Sequence, residues 1–489
     1  MQPIGEDSKL GSCYSLSAAQ AAYLSCRLMP RLASGLEATH VVRRSKGRRM
    51  DPKRIVGTAL LWFSSACALP APVSSQQPHD AQVGNAIFIH PDGASVATWG
   101  AARLLAVGPD GELNWDRMSS MGVYRGHLTN SAASTSNGAA TVHAFGVKVP
   151  HESYGMNGTT PLTALSGEPH SIMLEAINAG MATALINSGH LAEPGTGVFV
   201  ASAEARAEVD TITLQILESG TDIILGGGEA LMLPNGVVGR HRVPGVRRDG
   251  LNLVNRAEEL GYTIVYTRDE LLALPASTEK VLGLFAPAHT FYDRTDQEMQ
   301  LYGGGPLYVE TAPTVAEMLD VSLRILEQKE KQLFVVLEEE GSDNFSNVNN
   351  AIGCLTALAR ADTALGVALE YVDRHPNTMV MTVSDSDAGG MEVFAVKNPD
   401  HYMLPLDLIT ANGAPLDGPQ GSGSLPFVSL PDESGVRHYF GIAWADTEDL
   451  MGGILARAHG LNAGLLPTTV DNTDIYRMLY ATLFGEWLP

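Results

Sequence analysis

Three aliphatic runs in this chain end abruptly in carboxylates. Residues 86–89 lead through His90 and Pro91 into Asp92-Gly93, residues 333–337 into Glu338-Glu339-Glu340 and then Asp343, and residues 379–383 into Ser384-Asp385-Ser386-Asp387. A short continuous apolar run closed by turn-forming residues reads as a fully buried strand. In open α/β sheets, ligands gather outside the carboxyl ends of the strands. One Asp-Gly alone is an ordinary strand-to-helix turn. Three acid-terminated strands in one parallel sheet bring like charges to a common edge, where they repel unless a cation neutralises them. Hard oxygen donors grouped in this way predict a site for more than one divalent cation.

Such a site needs a nucleophile beside it. The segment 128–148 concentrates hydroxyls and small residues, among them Ser131, Ser134, Thr135, Ser136, Gly138 and Thr141, directly before a predicted helix. A Ser/Thr run in that place caps a helix. The same helix N-terminus stabilises a developing oxyanion and accepts a phosphate.

Further strands are expected at 184–186, 223–225, 264–266 and 281–285. Helical patterns are expected at 171–179, 211–218, 315–327 and 352–374, where Leu355, Leu358, Leu365, Leu369 and Val372 share one face. This alternation predicts an α/β fold, a three-layer sandwich with a central, mostly parallel sheet flanked by helices on both faces. From about 390 to 438 the pattern dissolves into Gly, Pro, Ser and Asp, which reads as a loop-rich insertion or cap. Regular structure returns at 440–444 and in a closing helix at 472–483.

The chain has 489 residues, 45% of them hydrophobic, and a formal net charge of −22. Lys and Arg are in excess up to residue 54, so the remainder is more acidic still, which repels nucleic acid and anionic lipid. Residues 1–49 lack periodicity and end in a basic run, and Met50 reads as the native start. Lys53 and Arg54, the apolar stretch 55–66 and the small residues after it form a signal peptide over 50–75. Export to the periplasm or medium is therefore expected, and Ser64-Ser65-Ala66-Cys67 also resembles a lipoprotein cleavage site. No later segment is expected to anchor the chain in a membrane. Of the four cysteines only Cys354 lies beyond the leader, which excludes a disulfide framework and a cysteine zinc site.

Across residues 83–487 the motifs resemble the alkaline phosphatase family. They are Asp92-Gly93, the Ser-rich segment ending in Gly146-Val147-Lys148, Ile224-Leu225-Gly226-Gly227-Gly228-Glu229, and Gly261-Tyr262 with Thr267-Arg268-Asp269-Glu270-Leu271. Then follow Leu282-Gly283-Leu284-Phe285, Ala316-Glu317-Met318, Asp385 with Gly389-Gly390, and Asp471-Asn472-Thr473. The resemblance implies one catalytic domain over 76–489 and a role for each matching residue. Asp92 matches the carboxylate bridging two metal sites, and Ser136, ten residues before Gly146, matches the phosphorylated nucleophile. Thr135 stands beside it where the family has Asp, against the substrate. Ser131, in an Asn-Ser-Ala-Ala string, is the alternative nucleophile. Glu338 and Thr196 match magnesium ligands, Asp343 and Asp385 further metal ligands, and Arg206 the guanidinium that clamps phosphate as a planar fork.

Three positions depart from the family. Asn347 and Ser386 stand where its zinc ligands are histidines, and Ala445-Asp446-Thr447-Glu448-Asp449 only approaches its His-Thr-Gly-Glu-Asp motif. Other histidines, His90, His143, His190 and His459, are available to substitute. With Asp92, Thr196, Glu338, Asp343, Asn347, Asp385 and Ser386, and Asp387 as a further donor, the ligand set is oxygen-rich. It favours Mg²⁺ or Ca²⁺, with Mn²⁺ next and Zn²⁺ least.

The function implied is an exported, metal-dependent hydrolysis of small phosphate monoesters through a phosphoserine, with a homodimer left open. The alternatives are a phosphodiesterase or sulfatase of the same superfamily, or a non-catalytic protein that binds cations or phosphate on the same fold.

Overall fold

The computed structural model describes residues 81–301, 303–395 and 415–489. The expected leader 1–49, the signal peptide 50–75 and Cys67 lie outside the described residues.

Ten strands form the main sheet: β1 (Asn85–Pro91), β2 (Ser120–Arg125), β3 (Ala182–His190), β4 (Ile223–Gly227), β5 (Thr263–Val265), β6 (Val281–Leu284), β7 (Leu333–Glu339), β8 (Thr378–Thr382), β9 (Leu455–Gly460) and β10 (Thr469–Asp471). Their spatial order is β10-β2-β9-β8-β1-β7-β3-β4-β6-β5. From β8 to β5 every neighbouring pair is parallel. β9 runs antiparallel against β8 and β2. The three strands that end in acids, β8, β1 and β7, are immediate neighbours. All three carboxyl ends therefore open on the same edge, as the sequence predicts.

The aliphatic runs are continuous because the sheet is covered twice. In β1, Ile87 and Ile89 enter one core and Ala86 and Phe88 the other. The Ile and Phe side chains each contribute roughly 1.5–3 kcal/mol relative to exposure. The first face is covered by α1 (Val96–Ala106), α3 (Val315–Glu327) and α4 (Ala351–Arg374), the second by α2 (Ser136–Phe145) and α5 (Asn472–Phe484). A capping box between Thr314 and Glu317 fixes the start of α3 at the residue its periodicity predicts. Among the described residues α4 is long and apolar enough to cross a membrane, but its Leu355, Leu358, Leu365 and Leu369 are buried against the sheet. Cys354, on the same helix, is a buried free thiol whose pKa burial raises to about 12.

Two boundaries differ from expectation, with consequences for the site. β7 extends through Glu339, so Glu338 lies inside the strand rather than in the turn after it. β3 runs on to His190, adding Asn187 and Ser188 to the same sheet edge. The described part of 390–438 is not all loop: Asp417–Gly418, Gly421–Ser422 and Phe427–Val428 join Met391–Ala395 and Tyr439–Trp444 in a small antiparallel sheet.

Candidate cation and phosphate site

Strand register assembles the first row of the site. His90 of β1 lies opposite Glu338 of β7, and Glu338 lies opposite Asn187 of β3. Side chains alternate along a strand, so Glu339 faces the other way. There it accepts from Ser188 Oγ at 2.7 Å and Tyr308 Oη at 3.0 Å, with Arg360 Nε at 3.9 Å, and serves the scaffold. Glu338 Oε2 accepts from Asn187 Nδ2, which also donates to Thr196 Oγ1 at 2.8 Å. A Cβ at Gly195 would overlap the Glu338 carboxylate, so glycine there is a condition of this packing.

Asp92 follows at the end of β1 and is fully buried. Its Oδ1 accepts from Gly93 N at 2.9 Å, and Gly93 N also lies 3.3 Å from Asp385 Oδ1. Gly93 adopts a φ of 65°, a region that disfavours side chains, and so aims one amide at two acids. His90 Nδ1 lies 2.9 Å from the Val383 carbonyl, which requires a proton on that nitrogen. Its Nε2 then points at Asp92 Oδ1, 3.3 Å away. Burial opposes charge on His90, yet the Asp92 hydrogen bond and charge outweigh it and raise the pKa of the imidazole. Burial pushes the Asp92 carboxyl up, but hydrogen bonds from Asp385, His90 and Ser136 hold it well below the usual carboxylate range. Asp385 goes the opposite way, driven well up by burial and by the charge of Asp92.

A second group forms around Asp343. Asn347 Nδ2 donates to Asp343 Oδ2 at 2.9 Å, and Ser386 Oγ donates to Asp449 Oδ1 at 3.1 Å. Burial and the neighbouring Asp449 push the Asp343 carboxyl well up. Burial and the Asp92 charge raise Asp449. Glu340 is driven well up by burial and by Glu193, Glu338 and Asp92. Glu338 itself is pushed to about 8 by burial and the charge of Asp92. Carboxyls that raise one another's pKa in this way lie close enough for one cation to neutralise several of them.

Ser136 is the first residue of α2 and is buried beside Asp92. Thr135 is the N-cap of that helix: its hydroxyl accepts from Gly138 N at 3.4 Å and donates to the His151 carbonyl at 2.8 Å. Both capacities of the expected substrate-binding hydroxyl are thus used by the fold. Ser131 lies in the irregular segment before α2, where its carbonyl accepts from Leu128 N at 2.9 Å. Arg206 pairs through Nη2 with the buried Glu193 and reaches Glu340 at 4.0 Å. The charge of Glu193 raises the guanidinium pKa further. Asp387 stands apart, interacting with Ser95, its carboxyl pushed by burial to about 6.

The donor chemistry fits divalent cations. Asp92 Oδ2, Glu338 Oε1, Glu340 Oε2, Asp343 Oδ1, Asn347 Oδ1 and Asp385 Oδ2 are buried acceptors without a hydrogen-bond partner among the described residues. A buried acceptor without a donor costs about 1–3 kcal/mol, more when charged, so such a set persists where something positive satisfies it. His90, Asp92 and Glu338 present ligand atoms within 4.8 Å of one another, as do Asp92, Glu340 and Asp343.

Sequence reasoning missed Asn187, Glu340 and Asp449 as site residues and left His90 as one of several spare histidines. The run Glu338-Glu339-Glu340 carried a compositional signal for Glu340, which follows β7 as the N-cap of the short helix Gly341–Asn347. Asn187 had no local signal, and the signal for Asp449 was its place in Ala445-Asp446-Thr447-Glu448-Asp449, which only approaches the family motif. His143 lies beneath the site, its Nε2 2.8 Å from Tyr124 Oη, and His459 lies on β9 opposite Val380, in the body of the sheet.

The family model for alkaline phosphatase matches residues 83–404. The membrane-bound alkaline phosphatase of Bombyx mori is 24% identical over 71% of this chain and 69% of the relative. An alkaline phosphatase of Gadus morhua is 26% identical over 57% of this chain and 65% of its own. Among solved structures, Thermus thermophilus alkaline phosphatase superposes with a TM-score of 0.65 at 20% identity, covering 87% of this chain and 96% of that one. Alkaline phosphatase from the Antarctic bacterium TAB5 gives 0.62 at 18% identity over 82% and 99%. A variant of the TAB5 enzyme with Mg bound in its M3 site also gives 0.62 at 18%, with the same coverage. A family match over more than half the chain, on the sheet the solved structures share, makes this chain a member of the alkaline phosphatase family.

Proposed function

We propose that the protein is an exported, metal-dependent phosphomonoesterase in which Ser136 is transiently phosphorylated. The observation that carries this reading is the group of buried, unsatisfied carboxylate oxygens converging beside a buried serine at a helix N-terminus. Asp92, Asp385, Glu338, Glu340, Asp343, Asn347 and Asp449 supply mostly oxygen, with His90 as one imidazole, a donor set that suits Mg²⁺, Ca²⁺ or Mn²⁺ better than Zn²⁺. When bound, such cations lower the pKa of a neighbouring hydroxyl and neutralise phosphate charge.

The chain's own residues account for the rest. Asp92 stays ionised when its neighbours are neutral, so its carboxylate is placed to orient the Ser136 hydroxyl. The amides opening α2 face the incoming phosphate. Arg206, anchored through Glu193, offers its remaining N–H groups to two equatorial phosphate oxygens. Ser136 attacks phosphorus, the alcohol leaves, and water releases phosphate from the phosphoserine. Export rests on the charged and apolar pattern of residues 50–75.

The test uses p-nitrophenyl phosphate, bis-p-nitrophenyl phosphate and p-nitrophenyl sulfate, each assayed after chelation and after addition of Mg²⁺, Ca²⁺, Mn²⁺ or Zn²⁺. Release from the monoester alone with the harder ions is expected. Preference for the diester or sulfate would move the reaction class, and no turnover with any ion would support a binding protein.

A further inference from the structure

A second cluster, the one with two imidazoles, adjoins the carboxylate group through Glu193, which faces Glu340. His190 ends β3, Glu193 follows three residues later, and His289 comes from the loop after β6. The Nε2 atoms of both histidines lie 2.9 Å from the same oxygen, Glu193 Oε1, and the two rings are 4.9 Å apart, centroid to centroid. Ligand atoms of all three residues fall within 4.8 Å of one another. Glu193 is 2% exposed, whereas the histidines are 21% and 20% exposed. The carboxylate is therefore fixed while the imidazoles remain reachable from solvent. His289 also lines a cavity of about 470 Å³ with Pro287, Ala288, Phe291 and Asp293, room enough for an ion and its water.

We propose that His190, Glu193 and His289 bind a transition-metal ion of the zinc class, separate from the cations of the carboxylate group. Two imidazoles and one carboxylate with an open fourth position are a donor set that zinc accepts and that magnesium, a hard ion, does not seek. Without the ion both rings crowd a single oxygen. With it, each Nε2 presents a lone pair to the metal and Oε1 completes the set. The Asn344 amide, 3.3 Å from His289 Nδ1, can turn its oxygen to that nitrogen and hold the proton there, the usual outer support of a metal-binding histidine. The second oxygen of Glu193 stays on Arg206, so the ion would fix the carboxylate on which that guanidinium rests. This positioning role rests on the phosphate-clamp reading of Arg206, whereas metal binding by the cluster does not.

The probe is Co²⁺ added to chelator-stripped protein in excess Mg²⁺, which occupies the oxygen donors, followed by visible absorption and by elemental analysis of the bound cobalt. The wild type is expected to hold one cobalt equivalent with absorption characteristic of imidazole ligation. His190→Ala and His289→Ala should each lose that equivalent, with affinity reduced more than about 100-fold, beyond the 10- to 100-fold typical of an outer partner. His289→Asn, at a partly exposed position, guards against misfolding, with thermal melting of the metal-free forms as a check. His90→Ala should keep the equivalent. Equal uptake and unchanged absorption in wild type and both alanine variants would overturn the proposal. So would loss of the equivalent in His90→Ala alone, which would assign the metal to the Asp92 group. Phosphatase activity is not the readout, so failure here and failure of the phosphatase reading remain distinguishable.

Discussion

Ser386 donates its hydroxyl to Asp449 Oδ1 at 3.1 Å, joining the end of the third acid-terminated strand to a carboxylate 63 positions away. Asn347 is bonded to Asp343 and also interacts with Asp449. Two uncharged polar side chains thus tie Asp449, from a distant strand, to the Asp343 group. Asp449→Asn should weaken Mg²⁺ binding about 10- to 100-fold. It should also stabilise the chelated protein by about 1 kcal/mol, because it relieves repulsion with Asp343 and Asp92. Thermal melting with EDTA and with Mg²⁺ measures both effects. A variant that melts lower than wild type in EDTA would contradict the repulsion argument.

Ser136→Ala should abolish the acid-stable phosphoenzyme, and Ser131→Ala should leave it intact. Ser136 is buried beside Asp92 at the start of α2, whereas Ser131 sits in the irregular segment before it. Either substitution should change stability by only about 1 kcal/mol. Acid-quenched phosphopeptide mapping reads the outcome, and label on Ser131 would transfer the role.

The carboxylate group makes the metal-free protein sensitive to pH. Glu338 is raised to about 8, and Glu340, Asp343 and Asp385 are raised well above their ordinary values. Groups raised in the folded state hold protons that the unfolded chain has released, so stability falls as pH rises from about 4.5 towards 8. Asp92, whose pKa is lowered, contributes stability that is already fully present above its unfolded value and so leaves this slope unchanged. The chelated protein should therefore melt lower at pH 8 than at pH 5, and saturating Mg²⁺ should remove the difference. Glu338→Gln should flatten the dependence in EDTA.

Removal of Arg206 should divide binding from folding. Arg206→Ala should lower kcat/KM on the order of 100-fold, as loss of one oxyanion donor does. It should also destabilise the protein by about 1–3 kcal/mol, because Glu193 stays buried with one oxygen unpaired. Arg206→Lys should recover part of the stability but less of the activity, since an ammonium cannot bridge two oxygens. Equal recovery of both would mean that Arg206 acts through charge alone.

Activity should vanish with a chelator and return with Mg²⁺, Ca²⁺ or Mn²⁺ rather than with Zn²⁺ alone. Asp343→Ala and Asp385→Ala should each raise the half-saturating metal concentration and lower the rate together, which metal titrations of turnover would show. Full recovery with stoichiometric zinc would mean that His90 and its neighbours form a zinc site and that the oxygen-donor reading is wrong.

The amino-acid sequence alone determined the three buried strands and the acids that close them. Unbroken aliphatic runs demand cover on both faces, and the residues that stop such runs must lie at the sheet edge. It also placed Ser136 at the start of a helix, through the Ser/Thr run that caps it, because helix starts are written within a few residues. Only the tertiary structure decided which acids share a charge. Asp449 reaches Ser386 because the strand at 449–450 pairs with residues 387–388, and Asn187 reaches Glu338 because β3 lies beside β7 and extends past its apolar run. His190, Glu193 and His289 meet because β6 and β3 flank β4 in the sheet, although the outer residues are about a hundred positions apart. Strand order is a property of the closed sheet, set by which faces can be buried together, and no local pattern carries it.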